Sequence, residues 1–251
     1  MNTFFQIFND VWTLNILLAA CIAFPSGIIQ GYAGFGGALV SVPFFAILFG
    51  PVTGFGMVLI IVFCSQGVVF SKAIGQSNWK EVVPLAGTSA ITMSLGILFL
   101  VSADPSFIKR GMGFFILLIT IFMIFGWQYS GKKRPLIGMG MGAITGGITG
   151  SFGVPAFPLS ALYFHTSNAT AKTKRANVTV TLGCNVMVAI CGLIMHEIYD
   201  QSLIFKSILI SPFFILGTLL GQFLFKIAPV EWFKFVTYGI LIIIALALLF
   251  T

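Results

Sequence analysis

Apolar stretches long enough to cross a bilayer recur along the whole chain, among them Thr53 to Ser71, Val82 to Ala103, Ala176 to Met195 and Phe235 to Phe250. Charged positions are confined to the connections and span ends, which predicts a bundle of membrane helices forming one domain over residues 1–251. Two segments break the pattern: Val11 to Gly50 and Pro135 to Thr170 are apolar but interrupted by glycine clusters. The first reads GIIQGYAGFGGALVSVP from Gly27 to Pro43, and the second GAITGGITGSFGVPAFP from Gly142 to Pro158. Gly31 and Gly34 match Gly147 and Gly150, Gly37 is in register with Gly153, and after one residue of slippage Pro43 matches Pro158. Each interrupted segment is followed by a span, a basic loop, a span with Pro84 or Pro212, and a last span after Pro105 or Pro229. This is an internal duplication, with repeat one over 11–129, a polar linker at 130–134 and repeat two over 135–251.

Charge decides how the interrupted segments meet the membrane. Only 8% of residues are charged, against roughly a quarter in a soluble domain, and 58% are hydrophobic. If each interrupted segment crosses once, Lys72, Lys80, Lys132, Lys133, Arg134 and Lys206 share one side and the other seven basic residues lie opposite. That division carries no orientation signal. If each segment enters and returns, Lys72, Lys80, Lys132, Lys133, Arg134, Lys172, Lys174, Arg175, Lys226 and Lys234 share one side, against Lys109, Arg110 and Lys206. The second division obeys the positive-inside rule. It predicts re-entrant hairpins, a multi-pass protein of the cell (inner) membrane and both termini away from the cytoplasm. By parity the second half is then inverted relative to the first. The expected fold is an all-α integral membrane protein of two inverted repeats, each a glycine-broken helical hairpin plus three transmembrane helices. The pieces Leu136 to Thr149 and Val154 to Ser167 would each be roughly 21 Å long, short of a ~30 Å apolar core, whereas Val11 to Gly31 reaches across.

The net charge of +7 does not point to nucleic acid, because the basic residues are scattered among connections rather than gathered in a stripe. Met1 to Asn15 lacks the basic start and cleavage site of a signal peptide, so a retained N-terminus is expected. Cys21, Cys64, Cys184 and Cys191 lie inside apolar segments without a CxxC pair, and read as small core residues. The acceptor patterns at Asn168 and Asn177 precede or fall within a span and carry no role.

Non-helical backbone at membrane depth must be buried in protein or line an aqueous cavity. Helices restarting after Gly36 and Gly37, and after Gly153, would aim free N–H groups and positive dipole ends at a common centre. Such a centre suits an anion, with Gly34, Phe35, Gly36, Gly37, Gly150, Ser151, Phe152 and Gly153 as candidate binding residues and Thr145, Thr149 and Ser151 as extra donors. The competing reading is tight helix packing through small residues. The spans hold no central Asp, Glu, Lys or Arg, which disfavours a cation site or a buried proton relay. Ser65, Gln66, Asn177, Thr181 and Asn185 are candidate path-lining groups, with interhelical hydrogen bonding as the alternative. Lys172, Lys174 and Arg175 would draw anions from the cytoplasm or serve only as topology signals. His165 and His196 have no metal-ligand partner in sequence, and no metal or cofactor is expected.

The twin motifs Gly31 to Pro43 and Gly147 to Pro158, in two halves of a chain of this length, resemble those of the TauE/SafE sulfite exporter-like permeases. The resemblance spans essentially the whole chain. It implies transport of sulfite, organosulfonates or related sulfur-containing or carboxylate anions, with Gly34, Gly36, Gly37 and Pro43 matching the first motif and Gly150, Gly153 and Pro158 the second. Phe152 and Val154 stand where the family pattern has small residues. The expected function is a secondary permease or exporter working by alternating access around a midplane site, with an anion channel as the alternative. Its partners are the small anion and membrane lipid, with a proton as a candidate coupling ion and no nucleic acid. Two separated histidines and six acids near span ends give no catalytic constellation, so an enzyme is not expected.

Overall fold

The computed structural model describes residues 13–33, 36–126, 135–165, 169–225 and 230–250. Among them are helices and no strand. The first half of the chain supplies α1 (Leu14–Ala33), α2 (Gly37–Phe49), α3 (Pro51–Ile74), α4 (Trp79–Ser102) and α5 (Pro105–Ile124). The second half supplies α6 (Pro135–Phe152), α7 (Phe157–His165), α8 (Ala171–Met195), α9 (Gln201–Leu224) and α10 (Val230–Phe250). Along their described lengths α1, α4, α5, α8 and α9 are each long and apolar enough to cross a bilayer. The outer surface is correspondingly apolar: Leu95 is 63% exposed, Leu216 56% and Ile243 71%, an arrangement that lipid stabilises and water does not.

Both interrupted segments turn back on themselves. At the open end of the first, Asn15 Nδ2 donates to the Leu48 carbonyl at 3.4 Å, which joins the start of α1 to the end of α2. In the second, Gly138 near the start of α6 lies against the Tyr163 hydroxyl near the end of α7. Of the leading arms, α6 with 18 residues, roughly 27 Å, is longer than the half-helix expectation, and α1 with 20 residues, roughly 30 Å, has the reach expected of it. The returning arms are short, with 13 and 9 residues. Asn15→Cys and Leu48→Cys, introduced together in a background with the four native cysteines replaced by alanine, are expected to cross-link in the membrane. A segment that crossed once would hold them a bilayer apart.

Each leading arm docks, backbone to backbone, on a long helix of the other half. A Cβ added at Gly27 or Gly31 of α1 would run into the carbonyls of Phe214 or Thr218 of α9, and one at Gly217 or Gly221 into those of Phe24 or Ile28. Gly142, Gly146 and Gly150 face the carbonyls of Leu85, Ser89 and Met93 of α4 in the same way. Spacing of four residues keeps each glycine set on one helical face, and in lipid such close approach is a main source of helix association. Residue numbers rise together along both contacts, so each pair is parallel.

The remaining packing recurs when the two sets of five are exchanged. α3 packs on α9 as α8 packs on α4, and α3 meets α8 while α5 meets α10. The α3–α8 pair runs antiparallel. Tyr199, beyond the end of α8, donates its hydroxyl to the Gly56 carbonyl near the start of α3, and burial pushes this phenol above its ordinary pKa. At the other end, Asn177 of α8 holds the turn after α3: its Oδ1 accepts from Asn78 N–H at 2.7 Å and its Nδ2 donates to Glu81 at 3.3 Å. α5 and α10 are antiparallel too, with Gly113 against Ala245 and the Tyr238 hydroxyl bonded to the Met123 carbonyl. By these landmarks Lys72, Lys80, Lys174 and Arg175 belong to one end of the bundle, and Lys109, Arg110 and Lys206 to the other. The main core fills the space between, around Phe45, Met57, Ile61, Met93, Met112 and Phe214, with a smaller cluster around Leu85, Phe164 and Val180.

Candidate anion site

The two tips use one local device. Gly37 N–H, at the start of α2, donates to Gln30 Oε1 at 3.0 Å, and Ala156 N–H, just before α7, donates to Thr149 Oγ1 at 3.2 Å. In each case a side chain of the leading arm, seven residues back, caps the returning arm. A backbone donor at each tip expected to be free for an anion is thereby satisfied by protein. The turns need positive φ, with Gly36 at φ 101° and Gly153 at φ 65°. Gly34 and Phe35 lie outside the described residues.

Beyond this device the tips differ. Gly37 is enclosed by the Ser26 carbonyl, the Gln30 side chain and the Phe214 ring. Ser151 and Phe152 are still helical, forming the last turn of α6, and the chain resumes as helix only at Phe157 rather than directly after Gly153. Phe152 sits among aromatic rings, 4.9 Å from Phe115 and 5.9 Å from Phe99 between centroids, in space left by the missing side chain of Gly111. Gly153 packs on Met112 and Phe55, and Thr145 bonds back to its own helix. The second tip is therefore walled by hydrocarbon. Gly150 is explained by its backbone contact with Met93, whereas Gly147 faces open space.

The first tip rests on Ser26 and Phe214, and the second on Met112 and Phe55.

Polar groups converge instead beside the first arm, in a cavity of about 40 Å³. Its walls are Gln30 and Gly31 of α1, Ser65 and Gln66 of α3, Arg175 and Thr179 of α8, and Thr218 and Gln222 of α9. Three sequence-predicted residues, Ser65, Gln66 and Arg175, thus come together. Gln30, Thr218 and Gln222 were not anticipated. Their signal was present: Gln30 is the sole amide within the first glycine motif, and Thr218 and Gln222 directly follow Gly217 and Gly221. Ser65, Thr179 and Thr218 donate their hydroxyl protons to carbonyls of their own helices. The donors left for a ligand are the Arg175 guanidinium and glutamine amides. Gln66 Nε2 is buried with no hydrogen-bond partner, a situation that is costly away from water. Arg175 is exposed, and no carboxylate among the described residues pairs with it.

The other predicted residues do not join this cavity. Asn177 spends its amide on the clamp described above. Thr181 and Asn185 are buried one turn apart on α8, with Thr181 Oγ1 and Asn185 Oδ1 unpaired. Lys174 is half-buried and Lys172 is exposed, and neither lines the cavity. An apolar cavity of about 180 Å³ also borders Gln66, between Val62, Phe70, Leu182 and Val186. No group of three metal-ligating side chains occurs among the described residues.

Compared with known proteins, residues 18–248 match the family model described as Sulfite exporter TauE/SafE. No curated protein and no solved structure matches the chain.

Proposed function

The chain belongs to the sulfite exporter TauE/SafE family, and from that premise we propose that this membrane transporter is a secondary permease for small oxyanions such as sulfite or organosulfonates. The observation that carries the reading is the polar cavity beside the first hairpin. It sets an exposed, unpaired guanidinium beside an unsatisfied buried amide and has no carboxylate in its wall. A buried amide without an acceptor, beside an exposed guanidinium, selects a ligand rich in acceptor oxygens.

The antiparallel pairing of α3 with α8 and of α5 with α10 supports an inverted relation between residues 11–129 and 135–251. Alternating access then consists of one hairpin-bearing half rocking against the other. The end bearing Lys72, Lys80, Lys174 and Arg175 faces the cytoplasm by the positive-inside rule. Because the cavity lies toward that end, the anion loads from the cytoplasm and is exported.

Proteoliposomes given sulfite, methanesulfonate or sulfate, with and without an imposed proton gradient or membrane potential, test the proposal. Saturable flux of at least one oxyanion is expected. Flux that never saturates assigns a channel, and the absence of flux for all three removes the oxyanion assignment.

A further inference from the structure

Resting on the permease reading, we infer that the polar and apolar cavities that meet at Gln66 form one binding site, made for a monoanionic oxyanion with a short apolar tail. The argument begins with Gln66, which lines both cavities and whose Nε2 is buried and unpaired. A bundle in lipid gains nothing from an orphaned amide there, and a ligand oxygen is the group that satisfies it.

Size and charge specify the head group. A water needs about 10–15 Å³ of cavity, so about 40 Å³ accepts about three such groups, the bulk of an XO₃ head. The wall carries one cation, Arg175, and no anion, which balances a single negative charge and leaves the second charge of a dianion uncompensated. A guanidinium fork and three glutamine amides offer donors in several directions, as a three-oxygen head requires.

The tail is specified by the neighbour. The cavity of about 180 Å³ is walled by Val62, Phe63, Phe70, Leu182, Val186 and Met187, and Gln66 is its polar boundary. An alkyl group attached to a head beside Gln66 enters hydrocarbon directly. Each methylene buried is worth about 0.8 kcal/mol, close to fourfold in affinity.

Gln30 ties the site to the hairpin. Its Oε1 holds Gly37 N–H at the start of α2, and the same side chain forms part of the cavity wall. An anion that engages the Gln30 amide bears on the cap of the re-entrant turn.

Titration calorimetry on the full chain in nanodiscs, with methanesulfonate, propanesulfonate, butanesulfonate and sulfate at fixed ionic strength, tests the inference. Affinity is expected to rise about fourfold per added methylene, with sulfate the weakest. Arg175→Gln weakens every sulfonate by about 10- to 100-fold, Gln66→Leu by about 3- to 10-fold, and Arg175→Lys restores part of the loss. Lys206→Gln, at the other end of the bundle, changes nothing. Val186→Phe fills the apolar cavity and removes the gain with chain length, while retained methanesulfonate binding reports that it is folded. Wild-type binding that does not improve with chain length, or that survives Arg175→Gln and Gln66→Leu unchanged, overturns the site. Absence of oxyanion binding and flux in the wild type is a different result and removes the permease reading beneath it.

Discussion

Replacement of Gly146 by valine is expected to destabilise the protein by about 3 kcal/mol, while Gly147→Val, one residue on, is tolerated. The two differ only in what they face. A Cβ at position 146 meets the Ser89 carbonyl and lies 2.6 Å from Ser89 Cα, and Thr92 Oγ1 closes the other side. The obstruction is mostly backbone of α4, which cannot rotate away as a side chain could. Overpacking of a well-filled contact costs about 1–3 kcal/mol, and this contact lies at the upper end because two helix axes must separate. For a chain of this size about 3 kcal/mol lowers the melting midpoint by roughly 6–12 °C. Gly147 has no atom within 4 Å of its added Cβ. Thermal unfolding of the two variants in detergent, followed by the loss of a monodisperse species, measures the contrast. Equal stability would mean that α6 does not dock on α4 through its Gly142, Gly146 and Gly150 face.

The second large effect lies at the tips. Gly153→Ala is expected to destabilise the protein by about 2–4 kcal/mol and Gly36→Ala by about half of that. Both residues adopt a left-handed backbone, which costs an L-residue about 1–2 kcal/mol. Gly153 adds a steric term: its Cβ would lie 3.0 Å from Met112 Cε and 3.2 Å from the Phe55 ring, whereas Gly36 would meet only Ile29 at 3.6 Å. Melting midpoints of the two variants give the ordering. A Gly36→Ala protein less stable than Gly153→Ala would reverse the roles assigned here, with the first tip as the tightly packed one.

The helical hairpins were legible in sequence for local reasons. Gly36 and Gly153 break two apolar runs because glycine admits positive φ, and the distribution of lysine and arginine favours return over crossing. The exact breakpoints were not legible. Ser151 and Phe152 remain helical because Phe152 is anchored among Phe99, Phe107 and Phe115, contacts supplied by α4 and α5. Among the site residues, Ser65, Gln66 and Arg175 were identified as polar groups in or beside spans. Gln30 was passed over because it reads as part of a glycine motif. Its role depends on Gly37 lying back against α1, and on α8 and α9 closing the space beyond it.

Sequence alone determined that this is a helical membrane protein and which segments turn back. Hydropathy, glycine placement and charge are properties each segment carries by itself, and the bilayer acts on them directly. Tertiary structure decided what each glycine is for. Gly142, Gly146 and Gly150 carry the same lack of side chain as Gly147, and only the position of α4 turns three of them into a packing face. It also decided where an anion can be held. The two tips carry similar motifs, yet one is set in aromatic rings and the other beside amides and a guanidinium, because the helices that come to rest against them differ in their facing residues.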